Sequence, residues 1–422
     1  MARTLDQWLE YQLQTHPQAI AMGLERVATV ARRLELGRPG KWVITVGGTN
    51  GKGSTVAFIE AMALAGGYSV GAFTSPHLLR YNERVRLNGR DIDDAALCDA
   101  FVRIEAARAE IPLTYFEFGT LAALLVFEQA RLELAILEVG LGGRLDAVNI
   151  IDADVAVITT VDLDHQEFLG RDRETIGGEK AGIFRAGKPC VLAERDPPSS
   201  VLRRAYEIGA PAIRAQADYL VETHHRHWTW REPGYELELP RPVLSAPAQI
   251  GNAAAAIAAL RALPLEFAKK DFAEGVRCAR VPGRLQRISE SPEVIVDVAH
   301  NPQASDQLAE WLLANPKPTR AVFSALKDKD VEGVFSRIDP HVASWYLAGI
   351  DDAGLRGIRA EELAERLASV LPAGRRQLHA SVAAALAAAR AASAVDERVL
   401  VFGSFHTVAD AMRANVAESE RL

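Results

Sequence analysis

The sequence predicts an α/β protein with two domains, each built on a parallel sheet covered by helices. Short apolar runs alternate with helical patterns over most of the chain, as parallel strands joined by crossover helices require. The chain has 422 residues, which is more than one hydrophobic core usually serves. Hydrophobic residues make up 49% and charged residues 24%, and this composition excludes wholesale disorder and a coiled-coil rod.

The strands of the predicted first domain are rich in β-branched and large apolar residues. Ligands bind beyond the carboxyl ends of such strands in open α/β sheets, so the loops that follow them are candidate binding loops. The predicted strands are Trp42–Val46, Ser69–Phe73, Leu134–Val139, Val155–Thr159 and Pro189–Ala193. The predicted helices are Gly53–Ala65, Asp93–Ala109, Phe118–Ala130, Thr175–Phe184 and Asn252–Ala262.

A polar and aromatic stretch, Tyr219–Leu239, is predicted to form a hairpin or a β-meander. It contains His224, His225 and His227. Histidines at this spacing cannot converge on one face of a strand, so we expect a solvated hairpin and not a metal cluster.

A change of composition marks the expected domain boundary. The segment Val281–Glu293 concentrates Pro, Gly, Ser and charged residues, which is typical of a linker. We predict a first domain over residues 1–284, a linker over 285–293 and a smaller α/β domain over 294–422. The strands predicted there are Val294–Asp297, Arg320–Ser324, Ala343–Leu347 and Val399–Phe402, and the helices are Gln303–Ala314, Ile358–Ala368 and Val382–Ala392.

Charge and cysteine usage favour small-molecule chemistry. The formal net charge is −7, which predicts neither a nucleic-acid partner nor an anionic membrane surface. The cysteines Cys98, Cys190 and Cys278 lack CxxC spacing, so we expect free thiols in a reducing cytoplasm. The N-terminal residues lack the basic start and apolar core of a signal peptide, and the Ala-rich runs are broken by arginines, so we expect no export and no membrane span.

The clearest motif is a glycine-rich turn with one lysine, GGTNGKGST, which follows the strand KWVITV and opens a helix. Glycines let backbone N–H groups point at phosphate oxygens, while Lys52 reaches the terminal phosphates and the helix adds its N-terminal dipole. The motif departs from the general P-loop because Gly53 stands where Ser or Thr usually follows the lysine. A chance glycine turn is the alternative, which the flanking strand and helix disfavour. The candidate ATP contacts here are Asn50, Gly51, Lys52, Gly53 and Ser54.

Nine segments together resemble one enzyme family. They are VGGTNGKGST, TSPHLLRYNERVRLNG, TYFEFGTLAAL, LEVGLGGRLDAVN, DHQEFLG, EKAGIFR, PGR, DVAHNP and GSFHTVAD. They resemble the bacterial bifunctional dihydrofolate synthase/folylpolyglutamate synthase family of the Mur ligase superfamily, from about Leu5 to about Asp410. The resemblance implies a P-loop parallel-sheet ATPase domain followed by a smaller Rossmann-like α/β domain. It also implies a ligase that uses ATP and Mg²⁺ to add L-glutamate to dihydropteroate and to reduced folates through an acyl phosphate.

The resemblance implies a magnesium site at Ser75, Glu138 and His165. Mg²⁺ prefers oxygen ligands and histidine is an uncommon one, so the role of His165 depends on the family, and a general base or a structural residue is the alternative. Ser75 is equally well interpreted as a turn residue, and Glu138 as a capping or surface carboxylate. The family likeness further implies that Lys180, otherwise typical of a surface lysine, is carbamylated and holds a second Mg²⁺.

The remaining contacts are also implied by the resemblance. Arg284 alone is equally consistent with a linker charge, and the aromatic residues with core positions. ATP contacts are Asn252, Arg284 and Asp297, pterin or folate contacts are Phe116, Glu117, Phe118, Gly119 and Arg144, and glutamate contacts are His300 and Ser404, with His406 as a neighbouring candidate. The expected catalytic set is Lys52, Lys180, Arg144 and His300.

Three other functions stay open at this stage. The chain could have folylpolyglutamate synthase activity only, or it could be another Mur-type ligase acting on a peptidoglycan precursor. A non-catalytic nucleotide switch would need Lys52 but would leave Glu138, His165 and the second domain without a role. The expected partners are dihydropteroate, reduced folates and L-glutamate, with no nucleic acid and no membrane, and the chain is expected to be a monomer.

Overall fold

The computed structural model describes residues 3–16, 18, 20–350 and 356–419. The predicted outer limits of the two domains, residues 1 and 422, lie outside these ranges. The chain divides into two compact units, one formed by Met1–Val243 with Gln249–Arg280 and the other by Leu244–Ala248 with Val281–Leu422. Both units are α/β, as the sequence predicts.

The first unit contains an eight-stranded sheet and a smaller antiparallel sheet. The strands are β1 Trp42–Gly47, β2 Val70–Phe73, β3 Val85–Leu87, β4 Arg90–Asp91, β5 Leu134–Glu138, β6 Val155–Ile158, β7 Cys190–Leu192, β8 Ala212–Arg214, β9 Leu220–Thr223, β10 His227–Glu232 and β11 Tyr235–Pro240. The helices are α1 Leu5–Thr15, α2 Glu25–Arg33, α3 Lys52–Ala65, α4 Asp94–Arg108, α5 Tyr115–Ala130, α6 Gln166–Leu169, α7 Arg173–Lys180, α8 Ser199–Glu207, α9 Gln249–Arg261 and α10 Lys269–Cys278.

The large sheet has the strand order β4-β3-β2-β5-β1-β6-β7-β8. All its neighbours are parallel except β3 with β2 and β4 with β3. The chain passes from β5 to β6 across β1, so the strand order reverses at β1, where open sheets of this kind bind ligands. In register, Val46 of β1 pairs with Glu138 of β5, and Gly47 pairs with Ile158 of β6. The loops after β1, β5 and β6 therefore leave the sheet side by side.

Helices cover both faces of this sheet. Helix α5 packs with α1 and α4 in a core that also contains Val43, Ala135 and Leu137 of the central strands. Helix α3 packs against α9 and α10 on the other face. Side chains alternate between the faces of a strand, so strands rich in apolar residues throughout are what a sheet covered on both sides requires.

The predicted meander is a three-stranded antiparallel sheet of order β11-β10-β9. Its side chains Trp228 and Trp230 are fully buried. The Trp230 Nε1–H donates to the carbonyl of Ala254 in α9 at 3.2 Å, which attaches this small sheet to the helix. The rings of His224 and His227 stack with centroids 4.5 Å apart.

The second unit contains a six-stranded sheet of order β12-β13-β17-β14-β15-β16. Every pair in it is parallel except β12 with β13. Its strands are β12 Gln286–Glu290, β13 Glu293–Asp297, β14 Thr319–Phe323, β15 Ser344–Ala348, β16 Arg376–His379 and β17 Arg398–Phe402. Its helices are α11 Pro302–Ala314, α12 Val331–Ile338, α13 Ala360–Arg366, α14 Val382–Ala392 and α15 Phe405–Ser419.

The structure corrects the predicted linker over residues 285–293. Most of this segment is strand β12, in which Gln286 pairs with Val296 and Glu290 with Glu293 of β13. The strand lies at the edge of the sheet and is only partly covered. An edge strand with one solvated side carries polar and charged residues, and this composition is also typical of a linker.

Among the residues that the structure describes, no helix is both long enough and apolar enough to cross a membrane.

Candidate active site

The glycine-rich loop joins β1 to the N-terminus of α3. Gly48 has φ +146° and Gly51 has φ +87°, conformations that side-chain-bearing residues rarely adopt. A Cβ on Gly48 would overlap the hydroxyl of Thr159, and a Cβ on Gly51 would lie 2.5 Å from the Asn252 Oδ1. Glycine at these two positions is therefore required by both backbone conformation and space.

Hydrogen bonds hold the loop against the segment after β6. The Thr49 amide donates to the Thr160 carbonyl at 2.7 Å, and the Asn50 amide donates to the Thr160 hydroxyl at 3.1 Å. The Thr159 hydroxyl donates to the Asn50 carbonyl at 2.6 Å. These hydrogen bonds hold the loop against the segment after β6, with the N-terminal dipole of α3 behind it.

Lys52 is the first residue of α3, and its Nζ donates to the carbonyls of Gly48 at 3.0 Å and Thr49 at 3.2 Å. Its ammonium therefore lies over the loop. Asn252 packs beside the same loop and is held by its amide donating to the Gln249 Oε1 at 3.2 Å. The structure thus brings together two of the residues that the sequence analysis assigned to ATP.

Glu138 ends β5 and is almost fully buried. The amide of Ser75 donates to its Oε2 at 3.2 Å, and a Cβ on Gly53 would lie 3.6 Å from the same oxygen. The carboxylate is therefore placed between the start of α3 and the turn that carries Ser75. This position and donor chemistry fit a hard divalent cation beside phosphate.

No group of three His, Cys, Asp or Glu side chains suited to a metal occurs among the described residues. A cation held at Glu138 would consequently have at most one further ligand from these four residue types, and hydroxyl, water or phosphate oxygens would complete its coordination. Mg²⁺ accepts such a mixed set readily.

A largely buried ion pair that the sequence does not predict holds this corner of the site. Arg86 of β3 donates to the Glu60 carboxylate of α3 at 2.7 Å and to the Thr74 hydroxyl at 3.1 Å. One guanidinium therefore ties the phosphate-loop helix to the turn that carries Ser75. A charged pair separated by many residues in sequence leaves no periodic signal from which it could be predicted.

His165 precedes α6 in a left-handed conformation with φ +48°. Its ring Nε2 lies 3.9 Å from the Asp164 Oδ2, and its side chain is about one-third exposed. The neighbouring Asp164 carboxylate is near enough to Lys180 to influence its pKa. The segment that follows β6 therefore runs from the phosphate loop toward Lys180.

Lys180 is the last residue of α7 and is buried. Burial, and then the positive charge of Lys52, lower the pKa of Lys180 to about 7, against the opposing charges of Asp164 and Asp146. This lysine is not the surface residue that its helical sequence context suggested.

Asp146, which is not one of the site residues predicted from the sequence, interacts with the same group of charges. Its carboxylate accepts the amides of Leu141 at 2.8 Å and Val148 at 3.1 Å. Burial raises the pKa of Asp146 to about 7, although these amides and Lys52 oppose the shift. The sequence signal for Asp146 was an acidic residue in the glycine-rich segment that follows strand β5.

Arg144 lies next to α7. Its Nη2 pairs with the Glu179 carboxylate at 2.9 Å and its amide donates to the Glu179 carbonyl at 2.8 Å. The guanidinium is more than half exposed. It is therefore adjacent in the fold to Lys180 and accessible to a ligand.

The structure separates the four candidate pterin residues of α5. Phe118 is fully buried in the core, which favours its alternative interpretation as a core residue, and its role as a pterin contact stays a prediction. Glu117 accepts the Thr114 amide at 2.7 Å and pairs with Arg26 at 3.1 Å, and a Cβ on Gly119 would meet the Tyr81 hydroxyl. Phe116 alone is partly exposed, with its ring 5.8 Å from that of Phe73.

In the second unit, β13 and β17 lie side by side with Asp297 paired to Phe402. The Asp297 carboxylate accepts the amides of Leu285 and Ala299, both at 2.8 Å. Burial raises the pKa of Asp297, and the charge of Arg284 opposes that shift. Arg284 is therefore near Asp297, and their predicted contacts with ATP stay predictions.

The loops after these two strands carry the residues predicted to bind glutamate. His300 Nδ1 lies 2.9 Å from the Val298 carbonyl oxygen and therefore donates a hydrogen bond to it. Its ring lies 6.3 Å from that of Phe405. Ser404 precedes α15, and its hydroxyl accepts the Thr407 amide at 3.0 Å. His300 and Ser404 thus occupy neighbouring loops at one edge of the second sheet.

Comparison with known proteins identifies the family of both units. Residues 46–260 match the Mur ligase middle domain, and residues 283–405 match the Mur ligase, glutamate ligase domain. The chain is 47% identical over 414 residues to the dihydrofolate synthase/folylpolyglutamate synthase of Escherichia coli strain K12, covering 97% of this chain and 95% of that protein.

Solved structures are equally similar. Escherichia coli FolC in complex with DHPP and ADP has a TM-score of 0.94 at 46% identity, covering 100% of this chain and 99% of that one. A bifunctional folylpolyglutamate synthase/dihydrofolate synthase with Mn, AMPPNP and L-glutamate bound has a TM-score of 0.90 at 43% identity, covering 100% and 98%.

The fold and the phosphate-loop site define an ATP-dependent ligase of the Mur type. Within that class, the chain belongs to the bacterial dihydrofolate synthase/folylpolyglutamate synthase family.

Replacing Gly48 by alanine is expected to weaken binding of a non-hydrolysable ATP analogue at least tenfold, measured by titration calorimetry. The added Cβ would collide with Thr159 and force a strained φ. Gly251→Ala is the matched control, because a Cβ there meets nothing within 4 Å. Equal affinities for the two variants would contradict the role given to the loop conformation.

Proposed function

We propose that this chain is an ATP-dependent acid–amino-acid ligase. It joins L-glutamate to dihydropteroate, giving dihydrofolate, and to reduced folates, giving polyglutamates. The observation that carries the proposal is the rigid phosphate loop with Lys52 and Glu138 at one sheet edge, in a chain 47% identical to a dihydrofolate synthase/folylpolyglutamate synthase over nearly its whole length.

The chemistry explains why such a site suits the reaction. A carboxylate becomes reactive toward an amine when its oxygen takes the γ-phosphoryl group of ATP, which forms an acyl phosphate and ADP. The amine of glutamate then attacks the acyl carbon, and phosphate leaves as the amide forms. Lys52 and the amides of the loop would stabilise the charge on the transferred group.

Glu138, Ser75 and His165 are the residues that would hold Mg²⁺. The cation neutralises phosphate charge and fixes the geometry of the triphosphate. Supporting this assignment, the Glu138 carboxylate faces the first turn of α3, where the phosphates of a bound nucleotide belong.

Lys180 is proposed to carry a carbamate and to hold a second Mg²⁺. Its neutral Nζ would form a bond to the carbon of CO₂ and lose one proton to solvent, which turns an uncharged amine into an anionic carbamate. A pKa of about 7 leaves a large fraction of neutral amine for this step. Burial beside Lys52 supports the proposal, since a second cation would be repelled there whereas a carbamate would be stabilised.

The other proposed contacts rest on the family resemblance. Asn252, Arg284 and Asp297 are proposed as nucleotide contacts. Arg144, paired with Glu179 but exposed, would stabilise the acyl phosphate. His300 and Ser404 would bind the incoming glutamate.

The function is tested by ADP release coupled to an indicator reaction. Wild-type protein should release ADP only when ATP, Mg²⁺, glutamate and either dihydropteroate or tetrahydrofolate are all present. Lys52→Ala and Glu138→Ala should lower turnover at least 1,000-fold, because both groups act on transition-state charge. Lys41→Ala and Glu110→Ala replace exposed residues and should have no effect.

Two results would change the proposal. ADP release without glutamate would favour a nucleotide switch. Activity with tetrahydrofolate but not with dihydropteroate would leave folylpolyglutamate synthase activity alone.

The buried lysine predicts a pH effect on stability. In CO₂-free buffer, Lys180 has a pKa of about 7 in the native chain and the ordinary lysine pKa of 10.5 in the unfolded chain. Between about pH 7 and 10.5, the unfolded chain therefore binds one proton more than the native chain. The contribution of Lys180 to the free energy of unfolding should therefore rise with pH across that window. Lys180→Met should remove this contribution in denaturant titrations, whereas Lys188→Met, at a half-exposed lysine, should not.

The same lysine should react with CO₂. Wild type in labelled bicarbonate should give a carbamate carbon signal that is absent from Lys180→Met. A signal of equal size in both proteins would refute carbamylation at this position.

Ser404 and Ser381 form a matched pair for testing the glutamate site. Each hydroxyl caps a helix of the second unit by accepting an amide three residues on, so alanine at either should cost about 1 kcal/mol of unfolding free energy. Only Ser404→Ala should also raise the KM for glutamate, by about tenfold, in the ADP-release assay. Equal KM values would assign Ser404 to capping alone.

A further inference from the structure

A buried guanidinium lies in the turn between β2 and β3. Arg84 ends the short turn Tyr81–Arg84 and is 8% exposed. Its Nε donates to His77 Nδ1 at 2.8 Å. Its Cζ lies 5.3 Å from the ring centre of Tyr81 and 5.4 Å from that of Tyr115. We call these four residues the Arg84 box.

This cation has no carboxylate partner among the described residues, which sets it apart. The other arginines that are equally buried, Arg108 and Arg398, pair with Glu105 at 2.6 Å and Glu293 at 2.7 Å. Arg84 has only a neutral ring nitrogen and two aromatic rings. Burial raises the pKa of Tyr81 and of Tyr115, so neither phenol supplies a negative charge near pH 7.

The nearest carboxylate in sequence is already occupied. Glu83 accepts the backbone amides of Leu78 at 2.7 Å, Leu79 at 2.8 Å and Arg80 at 2.7 Å. Its negative charge is therefore used to hold the turn. A buried cation without an opposite charge is costly, and cation–π contacts offset only part of that cost.

The Arg84 box lies between two segments of the active site. The Thr74 amide donates to the Arg84 carbonyl at 2.9 Å, so the box adjoins the turn that carries Ser75. Tyr115 is the first residue of α5 and precedes Phe116. An anion bound at Arg84 would therefore be near both the proposed cation site and the proposed pterin surface.

We propose that Arg84 binds a carboxylate of the acid substrate. This inference rests on the proposed ligase function. The guanidinium supplies a bidentate donor that matches a carboxylate in geometry and charge. The two tyrosines and His77 fix its orientation, and they stabilise it when no carboxylate is present.

The carboxylate can come from either of two sources. Dihydropteroate carries a single carboxylate, the benzoyl group that reacts. In a folate that group is already an amide, and the attached glutamate brings a reacting γ-carboxylate and an unreactive α-carboxylate. If Arg84 binds only the α-carboxylate, it has no anion to bind when dihydropteroate is the substrate. Because His77 and the two tyrosines stabilise Arg84 without an anion, one site could still accept both substrates.

The test compares Arg84→Gln and Arg84→Lys with Arg80→Gln. Arg80 lies beside the same turn but is exposed and pairs with Asp94 at the surface, so its replacement is the control. KM is measured for dihydropteroate and for tetrahydrofolate at saturating ATP and glutamate. Binding of each acid without ATP is measured by titration calorimetry, and melting temperature monitors the fold.

Arg84→Gln should raise KM and the dissociation constant at least tenfold for one or both acids, with the KM for ATP unchanged. Loss for both acids identifies the reacting carboxylate, whereas loss for tetrahydrofolate alone identifies the α-carboxylate. Arg84→Lys keeps the charge and should give a smaller loss of affinity for the acids. This variant provides the test if Arg84→Gln does not fold.

The proposal is overturned if both Arg84 variants bind both acids within twofold of wild type. Binding of the acids is measured in the absence of turnover. A wild-type protein that binds the acids but forms no amide would refute the ligase function, and the effect of Arg84 on binding could still be measured. A wild type that binds neither acid would refute both.

Discussion

Everything in the first unit depends on the parallel register of β1 with β5 and β6. That register places Val46, Glu138 and Ile158 at one edge of the sheet, so three loops far apart in sequence emerge together. The phosphate loop, the acid of β5 and the segment leading to His165 are neighbours for this reason alone. A slip of one residue would turn the side chain of Glu138 to the other face of its strand and separate it from the start of α3.

Charge is concentrated where this edge meets α7. Lys52, Lys180, Asp146 and Asp164 influence one another through a buried region, where screening by water is weak. Opposed charges in such a place keep several protonation states close in energy. Groups whose pKa values are shifted by burial and by neighbouring charges cluster at functional sites.

The central strands and the phosphate loop were predictable from sequence, whereas the edges and the charged interior were not. Strands covered on both faces are apolar throughout and stand out, but β3, β4, β8 and β16 are short and partly solvated, and their composition does not differ from that of loops. The burial of Phe118 was not predictable because sequence does not show which helix face meets the core. Arg84 and Arg86 were missed because burial of a cation is decided by residues elsewhere in the chain.

Strand β12 has a consequence for the protein in a crowded solution. Without it, β13 would be the outermost strand of its sheet, and its apolar residues Val294, Ile295 and Val296 would present unpaired amides and carbonyls to any other extended chain. Strand β12 forms an antiparallel pair with β13 and places Arg287 and Glu290 at the exposed edge of the sheet. The pairing register is irregular between Arg287 and Ser289. Charge and irregular pairing make the new edge a poor template for strand addition, so this short polar segment protects the second sheet from aggregation.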